Sequence, residues 1–126
     1  MSKKICLHTQ NAPEAIGPYS QATRIADFVF TSGQLGIDPA TGKLADGVQA
    51  QAAQSMRNIG AILAAAGLDY AAIVKTTIFV KDLADFKTVN DVYASFFEGD
   101  YPARSCVQVA ALPMGGLVEI ECIARA

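Results

Sequence analysis

Two segments with helical periodicity, each followed by a strand-like run, limit the fold of this chain more than any other feature. Apolar side chains recur at helical spacing through residues 48–66, and the glycine that follows ends the pattern. Residues 86–97 carry a second apolar stripe, between a capping aspartate at Asp82 or Asp85 and a stop at Gly99. Such helices must bury their apolar side, so the pattern predicts a sheet with a helical layer on it.

Runs rich in β-branched and aromatic residues predict the strands of that sheet. They are four single strands and one two-stranded hairpin: residues 5–9, 20–25, 28–35, 73–81 and 101–121. The resulting order βββαβαββ predicts an α+β fold with one sheet and both helices packed on one face, in a single domain over residues 1–126. The other sheet face would expose much apolar surface, which predicts an oligomer.

Composition and charge argue against several classes of function. The 126 residues carry a formal net charge of −2 and their ten Lys and Arg are scattered, so nucleic acid binding is not expected. No apolar run approaches the length that spans a bilayer, and the N-terminal residues are too polar for a signal sequence. These features predict a soluble, cytoplasmic protein without membrane contact.

Cysteine and histidine usage argues against a metal centre. Cys6, Cys106 and Cys122 are odd in number, far apart and without CxxC spacing, which is typical of reduced thiols. The single histidine, His8, leaves too few ligands for zinc. It is also the one candidate base for a Ser-His or Cys-His pair, and it lies in a polar stretch typical of surface histidines.

Charged residues occur inside the two apolar runs of the predicted hairpin. Arg104 shares one strand face with Cys106, and Glu119 shares one with Glu121, because side chains alternate along a strand. One interpretation is a set of surface charges at a sheet edge. The other is a site for a small anionic substrate, which an arginine can bind through two parallel N–H bonds.

The register of that hairpin bears on whether Arg104 and Glu119 can act together. If the loop centres on residues 113–115, the two side chains lie about five residues, or on the order of 16 Å, apart. A shared pocket then needs strand bending, or an arginine and a glutamate from different copies of the chain. The register leaves open whether one subunit supplies the whole site.

Four further residues, in three parts of the chain, are candidates for the same site. Asn90 falls on or beside the apolar stripe of the second helix, either as a site amide or as a core amide bonded to backbone. Ser32-Gly33 interrupts a strand where a ligand or another chain segment can approach closely, or where a bulge occurs. The turn-rich residues 11–18 deliver Tyr19 to the strand that follows.

Several motifs in this order resemble the RidA (YjgF/YER057c) family of small enamine/imine deaminases. The resemblance covers nearly the whole chain. It rests on GPYSQ at 17–21, TSGQ at 31–34, DPATG at 38–42, VKTTIFVKD at 74–82, YPARSC at 101–106 and VEIE at 118–121.

This resemblance implies a chorismate-mutase-like α+β fold that forms a homotrimer with a pocket at each subunit boundary and uses no metal or organic cofactor. The implied reaction is hydrolysis of 2-imino acids such as 2-iminopropanoate and 2-iminobutanoate to 2-keto acids and ammonia. Arg104 corresponds to the residue that binds the substrate carboxylate, and Glu119 to the one that positions the attacking water. The remaining pocket residues implied are Tyr19, Ser32, Gly33, Asn90 and the Cys106 backbone.

Two other functions fit the same residues. A binding module that senses a small carboxylate would need the same arginine. Ribonuclease or translation-inhibitor activity has been attributed to relatives, but the acidic balance and the absence of a basic stripe disfavour it. Glu121 is interpreted as a contact residue between subunits, and the Cys106 thiol as a small strand residue rather than a reactive group.

Overall fold

Within residues 3–126, seven strands form one mixed sheet and two helices cover one of its faces. The computed structural model describes residues 3–126. The strands are β1 (Ile5–Leu7), β2 (Ala22–Ile25), β3 (Phe28–Thr31), β4 (Gln34–Leu35), β5 (Ile73–Val80), β6 (Ala103–Gln108) and β7 (Val118–Arg125). The helices are α1 (Val48–Ala65) and α2 (Phe86–Ala94), so both predicted helices are confirmed, the second in shorter form.

The order of strands in the sheet is β1-β2-β3-β7-β5-β6, with β4 also paired to β7. Strand β5 lies between β6 and β7, parallel to the first and antiparallel to the second. The predicted hairpin of residues 101–121 is therefore wrong. Two strands joined by a Pro/Gly loop resemble a hairpin locally, but residues 109–117 form a connection long enough to pass an intervening strand.

The predicted strand of residues 28–35 is split in two. Phe30 pairs with Ile123 and Gln34 pairs with Ile120, so three residues of one strand face two of the other. This is a β-bulge, and it falls at Ser32-Gly33. The element order is ββββαβαββ rather than βββαβαββ.

Both helices bury their apolar sides against the same face of the sheet, as predicted. Helix α1 packs Ile59, Ile62 and Leu63 with Val29 and the residues of β7 that point the same way. Helix α2 packs Val89 and Tyr93 in a second cluster, whose members from the sheet are Ile78, Val80, Val118 and Ile120. Full burial of one such side chain contributes roughly 1.5–3 kcal/mol, so these two clusters hold the layers together.

The opposite face of the sheet has no helix on it within residues 3–126. Phe28 and Phe30 are 40% and 41% exposed there, and Val107 of β6 is 44% exposed. Their pairing partners across the sheet place them on the same side as Glu119. The predicted uncovered apolar face is thus confirmed, whereas the oligomer that would cover it stays a prediction.

None of the helices in the described residues is long and apolar enough to cross a membrane. All three cysteines are free thiols.

Candidate functional site

Arg104 lies on the face of β6 that α2 covers, and three side chains of α2 hold it. Its Nη1 donates a hydrogen bond to Asn90 Oδ1 at 2.6 Å. Its guanidinium carbon lies 5.3 Å from the ring centroid of Tyr93 and 5.5 Å from that of Phe86, within the range of cation–π attraction. Tyr93 is itself fixed, because its hydroxyl shares a 2.7 Å hydrogen bond with buried Thr76.

A cleft of about 420 Å³ opens beside the Arg104 guanidinium. Its walls are Asn90, Asp91, Tyr93, Ala94, Tyr101 and Pro102. Within the described residues, Arg104 makes one side-chain hydrogen bond and no ion pair. A guanidinium carries five N–H donors in a planar fork, so donors remain for a carboxylate.

Glu119 lies on the other face of the sheet. It pairs with Phe79 of β5 and Leu35 of β4, and its side chain is half-buried. Burial raises the pKa of the Glu119 carboxyl, and the charge of Glu121 raises it further. A carboxyl with a raised pKa holds a proton more readily than an exposed one, which suits it to act as a general base and then as an acid.

Glu119 borders a larger cavity of about 570 Å³. The walls include Tyr19, Ser32, Gly33 and Glu121, together with the apolar residues Pro13, Ile16, Leu35, Ile37, Pro113 and Met114. The Ser32 hydroxyl donates to the Ser20 carbonyl at 2.6 Å, and Tyr19 is half-exposed with its hydroxyl accepting from the Ile16 N–H at 3.4 Å.

Gly33 makes room for the Glu119 carboxyl. A Cβ at position 33 would lie 2.7 Å from both Cδ and Oε1 of Glu119, closer than real Cβ contacts allow. The bulge therefore brings the chain against the carboxylate, and glycine is required because of that approach rather than because of a left-handed backbone.

Gly33→Ala is expected to displace the Glu119 carboxylate with little loss of stability, because a flexible side-chain end is what must move. A misplacement of about 1 Å can reduce turnover by a factor on the order of a hundred, so we expect kcat to fall by about tenfold or more. Steady-state kinetics with a thermal melt check this. Unchanged kcat, or a large drop in melting temperature, would contradict it.

The two halves of the predicted site lie on opposite faces of the same sheet. Arg104 pairs with Thr76, and Thr76 pairs with Cys122, in a row that points under the helices. Glu119 and Glu121 alternate with those buried residues and point the other way. The hairpin register used to estimate the separation of Arg104 and Glu119 is wrong, because β5 lies between β6 and β7. Whether one chain or two supply both residues of a site stays a prediction.

The structure also places the remaining candidates. Asn90 holds the Arg104 guanidinium, and Tyr19, Ser32 and Gly33 line the Glu119 cavity. Cys106 is half-buried beneath α2, where burial raises the pKa of its thiol and the nearby Arg104 lowers it by less. A thiol with a raised pKa is a poor nucleophile, which favours the interpretation as a filler.

Sequence reasoning missed the two aromatic rings around Arg104. Phe86, Asn90 and Tyr93 fall at positions i, i+4 and i+7 of α2, so they lie on one side of the helix. That spacing could have indicated a shared partner. Residues 3–126 contain no group of three or more His, Cys, Asp or Glu side chains placed to hold a metal ion.

Comparison with known proteins places this chain in one family. Residues 9–126 match the family model described as Endoribonuclease L-PSP. The 2-iminobutanoate/2-iminopropanoate deaminase of Salmonella typhimurium is 55% identical over 127 residues, which covers 98% of both chains. The chloroplastic Reactive Intermediate Deaminase A of Arabidopsis thaliana is 54% identical over 97% of this chain and 66% of its own length.

A solved structure gives the same result for the fold. The crystal structure of Escherichia coli TdcF with bound serine superimposes with a TM-score of 0.94 at 49% identity, over 97% of this chain and 98% of that one. The class is thus a small α+β protein with one mixed sheet and two helices. The chain belongs to the RidA (YjgF/YER057c) family, which the Endoribonuclease L-PSP model describes.

Proposed function

We propose that this protein is a reactive-intermediate deaminase, which hydrolyses 2-imino acids such as 2-iminopropanoate and 2-iminobutanoate, and their enamine tautomers, to 2-keto acids and ammonia. The observation that carries the proposal is the Arg104 guanidinium, fixed by Asn90 and two rings beside an open cleft. The relative from Salmonella typhimurium, named for this activity, supports it.

The complete site is proposed to form between subunits of a homotrimer. One subunit supplies the Arg104 cleft and its neighbour supplies the Glu119 cavity. Two observations support this arrangement: the two half-sites lie on opposite faces of one sheet, and the face that carries Glu119 also exposes Phe28 and Phe30. TdcF with bound serine, a ligand that carries a carboxylate, supports the class of substrate.

The proposed chemistry needs little beyond placement of the reactants. Arg104 binds the substrate carboxylate by charge-assisted hydrogen bonds, which orients the electrophilic iminium carbon. Glu119 takes a proton from water as the water oxygen bonds to that carbon. Glu119 then returns the proton to the substrate nitrogen, and the C–N bond breaks to release ammonia. The hydroxyl group loses its proton to that ammonia, which gives the ketone and an ammonium ion.

Glu121→Gln is expected to shift the acidic limb of the kcat/KM profile to lower pH. The neighbouring charge of Glu121 raises the pKa of Glu119. Its removal lowers that pKa, so Glu119 stays ionised, and able to act as base, in more acidic solution. A pH series of kcat/KM for mutant and wild type measures the shift. A limb that stays in place, or moves upward, would show that Glu121 does not act on the base.

The direct test generates 2-iminobutanoate enzymatically and follows the release of 2-ketobutanoate and ammonia with and without the purified protein. We expect the protein to accelerate both. No acceleration by a homogeneous, folded preparation would overturn the proposed function.

The alternative of a carboxylate-binding module is separated by Glu119→Gln. A binder keeps its affinity for a keto acid and loses nothing measurable, whereas the deaminase loses turnover. The family model is described as an endoribonuclease, but the net charge is −2 and the ten Lys and Arg are scattered along the sequence, which disfavours RNA binding. RNA cleavage that a cavity variant abolishes would favour that function instead. A cytoplasmic location is part of the proposal.

A further inference from the structure

Gln21 is a buried side chain whose hydrogen bonds all go to the backbone of one loop. The residue is 2% exposed. Its Oε1 accepts from the Thr9 N–H at 2.7 Å. Its Nε2 donates to the carbonyls of Thr9, Ala12 and Pro13 at 3.0, 3.3 and 2.8 Å. One side-chain amide is thus hydrogen-bonded to three residues in the first part of the loop that connects β1 to β2.

That loop forms one wall of the Glu119 cavity. We define residues 13–19 as the lip; Pro13, Glu14, Ile16 and Tyr19 of the lip line the cavity. The outer part of the lip has few contacts of its own, since Ile16 is 84% and Tyr19 51% exposed. Its base is fixed instead, because Ala12 is buried in the core and the Gln21 amide donates to the carbonyls of Ala12 and Pro13.

Gln21 also connects the lip to the opposite wall of the cavity. Its own backbone carbonyl accepts from the Ser32 N–H at 2.9 Å. Ser32 adjoins Gly33, where the missing Cβ admits the Glu119 carboxyl. The lip and the bulge therefore share one anchor.

We propose that Gln21 is a positioning residue, which fixes the lip as a preformed wall over the Glu119 carboxylate. The proposal rests on the proposed function in so far as this cavity receives the imino acid. Only an amide fits the role: its oxygen accepts from the Thr9 N–H, and its two N–H groups donate to the three carbonyls, with one N–H shared between two of them. A carboxylate would keep the acceptor and turn a negative oxygen toward those carbonyls. An apolar side chain of the same length would leave all of these groups unpaired.

The test uses Gln21→Met, which keeps the side-chain length. A second variant, Gln21→Glu, keeps the acceptor for the Thr9 N–H and serves if the methionine variant fails to fold. The matched control is Tyr70→Phe, which removes a 2.7 Å hydrogen bond from a tyrosine hydroxyl to the Met56 carbonyl on the helical side. Hydrogen–deuterium exchange, read by mass spectrometry without any ligand, reports on the lip directly. KM and kcat for 2-iminobutanoate report whether a displaced lip weakens substrate binding.

We expect exchange in residues 9–20 to rise by about tenfold or more in the Gln21 variants, and to stay at the wild-type rate elsewhere and in Tyr70→Phe. We expect KM to rise by about tenfold with kcat changed less than about threefold, because a displaced lip weakens binding before it alters the chemistry. A merely structural role would raise exchange throughout the chain and leave KM unchanged.

The two readouts separate this inference from the proposed function. Wild-type exchange in the lip of both Gln21 variants overturns the inference, whatever the enzyme does. An opened lip with unchanged KM also overturns it, because the wall then does not act on substrate. If exchange in the lip rises in the Gln21 variants but the wild-type protein does not deaminate 2-iminobutanoate, the anchoring role of Gln21 is supported and the proposed function is contradicted.

Discussion

Arg104→Ala is expected to lower kcat/KM for 2-iminobutanoate by more than about a hundredfold. The substitution removes the fork that would bind the substrate carboxylate, and it leaves Asn90 Oδ1, Phe86 and Tyr93 around an empty space. An alanine also cannot orient the imine carbon toward water. Ammonia and keto acid release at several substrate concentrations measures the change.

Arg104→Lys gives a sharper comparison, because it keeps the charge. A lysine ammonium is a compact point charge that cannot bind a carboxylate through two parallel N–H bonds or stack between two rings. We therefore expect activity to stay well below wild type. The control is Arg57→Ala, since Arg57 is an exposed arginine of α1 whose Nη2 donates to Gln54 Oε1 at 3.0 Å, outside both half-sites.

Equal rates of ammonia and keto acid release by wild type and Arg104→Ala would contradict the role proposed for Arg104. Loss of activity together with loss of the folded state would show only that Arg104 supports the packing of α2. A far-UV circular dichroism spectrum and a thermal melt of each variant distinguish these outcomes.

The sequence predicted the elements of this fold better than their arrangement. Helical spacing located α1 and α2 because each helix buries one apolar side, and a buried side produces a regular spacing of apolar residues along the sequence. The place of β5 between β6 and β7 depends on contacts distant in sequence, which no local pattern records. Strand alternation nevertheless assigned Arg104 and Cys106 to one face, and Glu119 and Glu121 to one face, because it requires no knowledge of the neighbouring strand.

The candidate site was predicted in the same uneven way. Arg104 and Glu119 were recognisable as charges in apolar strands. The partners that hold Arg104 were harder to find, because Phe86 and Tyr93 are ordinary residues of an apolar stripe until β6 is placed beneath them. Gln21 appeared in the sequence only as the last residue of the GPYSQ motif, with no indication of a role, because its role depends on the loop folding back over it.

Mixed trimers of Arg104→Ala and Glu119→Gln chains are expected to regain activity that neither variant has alone. If each site takes Arg104 from one subunit and Glu119 from its neighbour, random assembly of equal amounts restores about a quarter of the sites, because each intact half has an even chance of its place. The experiment co-refolds the two chains with different tags. Native mass spectrometry confirms mixed trimers, and the deaminase assay measures the recovered rate.

The matched control mixes Arg104→Ala with the double variant Arg104→Ala/Glu119→Gln. Every subunit then lacks Arg104, so activity should stay at the level of the single variant. If mixed trimers form but the first mixture also stays inactive, the two residues act within one chain, and the opposite sheet faces of Arg104 and Glu119 would have to be reconciled through a rearrangement of β6. Recovery near a quarter is the result that a site shared between two subunits requires, and we expect it because Phe28 and Phe30 are exposed on the sheet face that carries Glu119.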